Sequence, residues 1–140
     1  MLFRSQTRAV LRESFCVALP MDHPLAALES IQPADLLTWP VYILARRYAP
    51  GFYDEFIQAV GMPLDIASEL GEFTTMLALV SAGLGIGVLP QQAARALPVN
   101  CVSRPLQLGG FQATTGLAWT ELDNAVKTTL FNLIVELFGE

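Results

Sequence analysis

Apolar positions along the chain fall into short runs and helical stripes, punctuated by proline and glycine. Phe15-Cys16-Val17-Ala18-Leu19 is a continuous apolar run stopped by Pro20, which predicts a buried strand. Pro33-Ala34-Asp35-Leu36-Leu37 predicts one or two helical turns, and Val41-Tyr42-Ile43-Leu44 a second strand. After Pro50-Gly51, the residues Phe52, Phe56, Ala59 and Val60 share one face of a helix that Gly61 closes. Leu64-Asp65-Ile66-Ala67 follows Pro63 as a third strand, and Phe73, Met76, Leu77, Val80 and Leu84 then recur at helical spacing. Ile86–Leu89 reads as a strand, Gln91–Leu97 as a short helix, and Cys101–Ser103 and Gly116–Trp119 as the last two strands. A final helix starts at Asp123 or Asn124, with Val126, Leu130, Ile134 and Leu137 facing inward.

Strands alternating with helices at these separations predict an α/β fold with a mostly parallel sheet and helices on its faces. Within it, Ser81-Ala82-Gly83-Leu84-Gly85-Ile86-Gly87-Val88-Leu89-Pro90 carries three glycines at alternate positions. A phosphate-binding loop needs its glycines after a strand and before a helix, so that the helix N-terminus faces the anion. Here the helix comes first. Gly83 is therefore expected to close that helix with a left-handed backbone, and Gly85 and Gly87 to let the strand pack close under its neighbours.

Composition narrows the class. The 140 residues suffice for one domain or two small lobes, and 53% are hydrophobic, so a packed core is expected. No apolar run approaches the roughly 20 residues of a membrane span, and the first fifteen residues alternate apolar and charged positions instead of forming a secretory signal. A cytoplasmic protein without membrane partners is the expectation. Net charge is -5, from thirteen acidic residues against seven arginines and Lys127, and only Arg46-Arg47 sit together. That balance gives no basic surface for gripping nucleic acid. Cys16 and Cys101 lie far apart without metal or redox spacing, so reduced, buried thiols are expected, with no metal and no cofactor. His23 is the only histidine, and no orienting third group or oxyanion donor accompanies it and Cys16, so no enzyme is predicted. The carboxylates of Asp54, Glu55, Glu69 and Glu72 read as exposed charges.

Four segments in order carry a family likeness: Asp22-His23-Pro24-Leu25-Ala26, then ILARRYAPGFYDEF, then ASELGEFTTMLALVSAGLGIGVLP, then Leu117-Ala118-Trp119 before the closing helix. From about Val10 to Leu137 the chain resembles the effector-binding domain of LysR-type transcriptional regulators. The resemblance implies a type 2 periplasmic-binding-protein-like fold, with an inducer held between two α/β lobes to control transcription. Residues 41–113 would be a complete second lobe, and 1–40 with 114–140 the remnant of the first, with crossings near Thr38–Pro40 and Gln112–Thr115. The family's winged helix-turn-helix and the opening elements of the first lobe have no counterpart here. The chain thus resembles an N-terminally truncated regulator, touching DNA only through a helix-turn-helix it does not carry.

Ligands of such folds sit at the carboxyl ends of parallel strands, beside helix N-termini. That logic and the resemblance together single out Arg46 and Arg47 after the 41–44 strand, and Gly71, Glu72, Phe73 and Thr74 at the start of the following helix. The expected inducer is a small organic acid, although the charge of Glu72 disfavours an anion unless an arginine pairs with it. Phe15, Val17 and Leu19, with Leu130, Ile134 and Leu137, are expected to keep apolar surface uncovered and drive homo-oligomerisation. The alternative class is a free-standing small-molecule binder or small enzyme on a similar fold.

Overall fold

The computed structural model describes residues 6–48 and 50–138. Contacts divide them into two compact units, one within 14–112 and the other made of 6–13 with 113–138.

The larger unit is built on a five-stranded sheet of order β4-β3-β5-β2-β6. Its strands are β2 (Phe15–Pro20), β3 (Val41–Leu44), β4 (Ile66–Leu70), β5 (Ile86–Pro90) and β6 (Cys101–Pro105). Helix α1 (Pro50–Val60) connects β3 to β4, and α2 (Phe73–Ser81) connects β4 to β5. Both crossovers return the chain in the same direction, so β3 is parallel to β4 and to β5. The sheet is mixed, not mostly parallel as the alternation suggested. β2 runs antiparallel to both β5 and β6, and lies between them.

That placement explains why the unit begins at Ser14 and not at Val41. The 15–20 strand is an internal strand of this sheet, inseparable from the elements that follow it. It also explains its burial: Phe15, Val17 and Leu19 are at most 1% exposed, against the expectation that they stay uncovered. Both faces of β2 are covered, as an unbroken apolar run requires. Phe15 meets Phe56 of α1 and stacks on Phe111, with ring centroids 5.8 and 5.5 Å away. Cys16 and Ala18 point the other way, into a cluster with Tyr42, Met76, Leu77, Val80, Leu89 and Cys101. Both cysteines are buried, and burial pushes the Cys101 thiol pKa up. The side chain of Phe52, expected on the inward face of α1, lies outside the described residues.

The glycines after α2 serve packing and capping. Gly83 has φ +77, its amide donates to the Val80 carbonyl at 2.9 Å, and Leu84 donates to Leu79 at 3.2 Å. This is the Schellman pattern, which satisfies carbonyls that the helix end leaves free. A Cβ at Gly85 would stand 2.7 Å from the Pro40 carbonyl oxygen, and one at Gly87 2.8 Å from the Met76 sulfur. The segment 20–41 is held by similar local bonds. His23 Nδ1 accepts from the Leu25 amide at 3.1 Å and so caps a 3-10 turn, Pro24–Ala27, while its ring edge meets Trp39. Burial lowers its pKa, which favours the neutral ring that can accept this bond.

In the smaller unit, β1 (Gln6–Glu13) pairs antiparallel with β7 (Ala113–Trp119), with a register shift between Ala9 and Leu11. Helix α3 (Ala125–Phe138) starts where Asn124 Oδ1 accepts from the Lys127 amide at 2.9 Å, as the sequence suggested. Its inward phase differs from expectation. Phe131, Ile134 and Val135 are half-buried, with Phe131 edge-on to Trp119 at 4.7 Å, whereas Val126, Leu130 and Leu137 are 77%, 57% and 72% exposed. No helix among the described residues is long and apolar enough to cross a membrane.

Gly83 has open space around it, so its constraint is the backbone angle alone. Gly83→Val is expected to lower stability by about 1–3 kcal/mol, the cost of a sparsely populated backbone state. Gly87→Val, which collides with a packed sulfur, should cost at least as much through displaced core. Urea unfolding of both variants checks this; a change under a few tenths for Gly83→Val would exclude a positive φ there.

Candidate functional site

Parallel pairing brings the two expected loops together. Leu44 at the end of β3 is level with Leu70 at the end of β4, and the Ala45 amide donates to the Leu70 carbonyl at 2.7 Å. The turn 46–48 and the segment 71–74 therefore emerge side by side at the carboxyl edge of the sheet. Gly71 lies under the Tyr48 ring, so close that a Cβ there would be 3.3 Å from the phenol oxygen. The guanidinium carbon of Arg47 stands 5.0 Å from the centroid of the same ring, within cation–π range. Arg47, Tyr48 and Gly71 thus form one exposed cluster.

Arg46 is committed elsewhere. Its Nε and Nη2 donate to the two carboxylate oxygens of Asp54 on α1, at 2.8 and 2.7 Å. The hydrogen bonds to Asp54 hold the guanidinium pKa up, and those from Arg46 hold the Asp54 carboxyl below its ordinary value. Glu69 adds a second negative charge near Arg46 and accepts a hydrogen bond from Tyr53, whose pKa burial and that bond push up. Asp54 reads in the sequence only as an exposed charge, and Tyr53 has no assigned part there. The signal was Asp54 one helical turn into α1, eight residues after Arg46, but only the fold of the intervening turn makes them neighbours.

Glu72 occupies the N-cap of α2 with an extended backbone and makes no side-chain cap bond to the helix. It accepts instead from the Thr75 hydroxyl at 3.3 Å. Phe73 and Thr74 turn toward another surface. With Leu77, Ala78, Ala93, Ala96 and Pro98 they line an open apolar groove of about 430 Å³. Phe73 is half-buried against the core cluster. The six residues therefore divide into Arg47 with Gly71, Arg46 with Asp54, Glu72 with Thr75, and Phe73 with Thr74 on the groove. Among the described residues, no three His, Cys, Asp or Glu side chains group where a metal ion could bind.

A mixed five-stranded sheet with helical crossovers between its parallel strands defines an α/β fold, and solved structures share it. The effector binding domain of a BenM variant superposes with a TM-score of 0.82 at 18% identity, over 96% of this chain and 65% of that one. The effector binding domain of QuiR, in complex with shikimate, gives 0.78 at 18% identity, over 96% and 65%. At such identities the likeness concerns the fold, which is type 2 periplasmic-binding-protein-like. The family model of the LysR substrate binding domain matches residues 4–134, and the chain belongs to that family.

Among curated relatives, the HTH-type transcriptional regulator AlsR of Bacillus subtilis (strain 168) is 34% identical over 99 residues, covering 68% of this chain and 33% of AlsR. IlvR of Caulobacter vibrioides, another HTH-type regulator, is 30% identical over 138 residues, covering 91% of this chain and 41% of IlvR. The chain spans less than half the length of the curated relatives it matches. These relatives are named as regulators, not as enzymes.

Replacing Arg46 should release Asp54. A carboxylate whose folded pKa is depressed contributes stability above its unfolded pKa, and that contribution fades as pH falls through the folded value. In Arg46→Gln the Asp54 carboxyl should titrate back in the ordinary carboxylate range, as read by NMR titration of its side-chain carbon. An unchanged, depressed midpoint would show that the Arg46 pairing is not its cause.

Proposed function

We propose that this chain is the effector-sensing part of a LysR-type transcriptional regulator, and that its effector is a small organic acid bound at the loops 45–48 and 71–74. The observation that carries the reading is the bond between Ala45 and Leu70, which sets the two loops side by side at the carboxyl ends of parallel strands. The first turn of α2, which follows the 71–72 turn, would supply free backbone amides as donors for a carboxylate. Arg47, held by Tyr48 and not by an acidic partner in the bonds described, supplies the positive charge. Arg46 is occupied by Asp54 and acts by shaping the turn. Glu72, bonded to Thr75, sets a limit on how much negative charge the site takes. That favours monocarboxylates over more highly charged acids.

The neighbouring folds were solved with ligands of this kind: the BenM effector binding domain with its effector benzoate, and that of QuiR with shikimate. Effector binding can change the state of a regulator only by favouring one conformation over another. Reading of DNA falls, in this proposal, to a helix-turn-helix portion such as the relatives' names denote, because the chain itself carries a net charge of -5. The setting is the cytoplasm, where such a regulator meets DNA and metabolites.

A thermal-shift screen of benzoate, shikimate and related monocarboxylates tests this. A ligand at one hundred times its Kd stabilises the native state by about 2.7 kcal/mol, or several degrees in Tm for a chain of this size. At least one acid should give such a shift, reduced at least tenfold in affinity by Arg47→Gln. No shift across the panel, or a shift that Arg47→Gln leaves intact, would contradict the proposal.

A further inference from the structure

The connection from β2 to β3, residues 21–40, is a long excursion that leaves Pro20 and returns at Val41. β2 runs antiparallel to β5 and β3 parallel to it. Both ends of the excursion therefore lie at the amino edge of the parallel strands, opposite the 45–48 and 71–74 loops. Its middle is pinned to β6. Ile31 is buried, its amide donates to the Pro105 carbonyl at 2.8 Å, and its carbonyl accepts from Gln107 at 2.9 Å. The Arg104 guanidinium adds bonds to the Ala26 and Leu28 carbonyls, at 2.9 and 3.0 Å. The two ends are joined by a pair of rings, His23 near the start and Trp39 at the finish, with centroids 4.2 Å apart. Trp39 is fixed at the sheet, because the carbonyl of the next residue, Pro40, accepts the Ile86 amide at 3.0 Å and lies against Gly85.

We propose that His23 is a proton-operated latch on this excursion. Neutral, it caps the 24–27 turn and holds Trp39; protonated, it lets go of both, while the middle stays docked on β6. The device rests on one lone pair. Nδ1 accepts from the Leu25 amide at 3.1 Å, which only an unprotonated ring nitrogen can do. The turn begins with Pro24, which has no amide, so Leu25 is the first donor it presents. A proton on Nδ1 would set N–H against N–H and leave that part-buried amide without its acceptor.

The surroundings set the direction of the switch. Burial disfavours the charged ring, and the adjoining Asp22 favours it more weakly. The 24–27 turn carries no titratable group, Arg104 reaches it from β6 with positive charge, and Asp35 on the second turn is tied to the Gln32 amide at 2.8 Å. His23 is the only histidine of the chain, and the only side chain whose ordinary pKa falls between about pH 5 and 8. Its folded pKa lies below the ordinary 6.5. The stability it contributes is therefore complete above that value and is lost as pH falls through the folded midpoint. Since the latch and the strand-end loops lie at opposite edges of the sheet, the proposal stands independently of the effector reading.

NMR of the whole chain between about pH 8 and pH 5 tests it, because one histidine gives one ring titration. At the upper end the ring should be the Nε2–H tautomer, with Overhauser contacts between the His23 and Trp39 rings. The ring should titrate below 6.5. With the same midpoint the ring contacts should vanish and the Leu25 amide should lose about tenfold in protection from exchange, while Ile31 and Gln107 keep theirs. His23→Asn, whose side-chain oxygen caps without titrating, should keep Leu25 protected throughout. A midpoint at or above the ordinary value, ring contacts or Leu25 protection that survive protonation, opening that spreads to Ile31, or a pH dependence that persists in His23→Asn would each overturn the latch.

Discussion

The Ala45 amide donates to the Leu70 carbonyl at 2.7 Å, and behind that bond the parallel ladder of β3 and β4 sets both strand ends at the same height. Everything at the carboxyl edge of the sheet depends on this pairing. It turns Arg46 toward Asp54, lays Tyr48 over Gly71, and starts α2 beside the same turn. The ladder is in turn held by burial. Val41 and Ile43 are at most 1% exposed, and β3 lies between β4 and β5 with α1 and α2 closing the two crossovers. A slip of one residue would exchange the faces of the strand and carry Tyr42 out of the α2 cluster.

The core tolerates little variation where chain segments approach most closely. Gly87 lies against Met76, and Gly85 against the Pro40 carbonyl, so α2 and the start of β3 pack directly on the β5 backbone. Gly83 makes the turn between them possible by adopting a positive φ after the last carbonyls of α2 have found partners. One short glycine-rich segment thus ends the helix, reverses the chain and seats the strand under its neighbours. It lies at the C-terminal end of α2, the opposite end from the candidate loop 71–74, and its chemistry is structural.

Much of this was legible in the sequence because its causes are local. The helix before the glycines identified Gly83 as a C-terminal cap, the Asn124 side chain announced α3, and the run from Phe15 to Leu19 declared a buried strand. Partners that depend on distant segments were not legible. Nothing local to β2 says that it inserts antiparallel between β5 and β6, so its place in the larger unit and its full burial emerged only from the fold. In α3, apolar residues at 126, 130, 131, 133, 134, 135 and 137 populate more than one face, and periodicity alone could not choose which one turns inward. The family resemblance suggested the two loops of the candidate site. It did not foresee that Arg46 is paired with Asp54, or that Phe73 and Thr74 face a separate groove.

The proposed effector site lies at the adjoining ends of β3 and β4. Amide chemical-shift mapping, with a monocarboxylate that stabilises the chain, tests it most directly. The largest, saturable shifts are expected on Ala45 to Tyr48 and Gly71 to Thr74. Shifts concentrated instead along the groove by Ala93 and Ala96, or on α3 and β7, would contradict it.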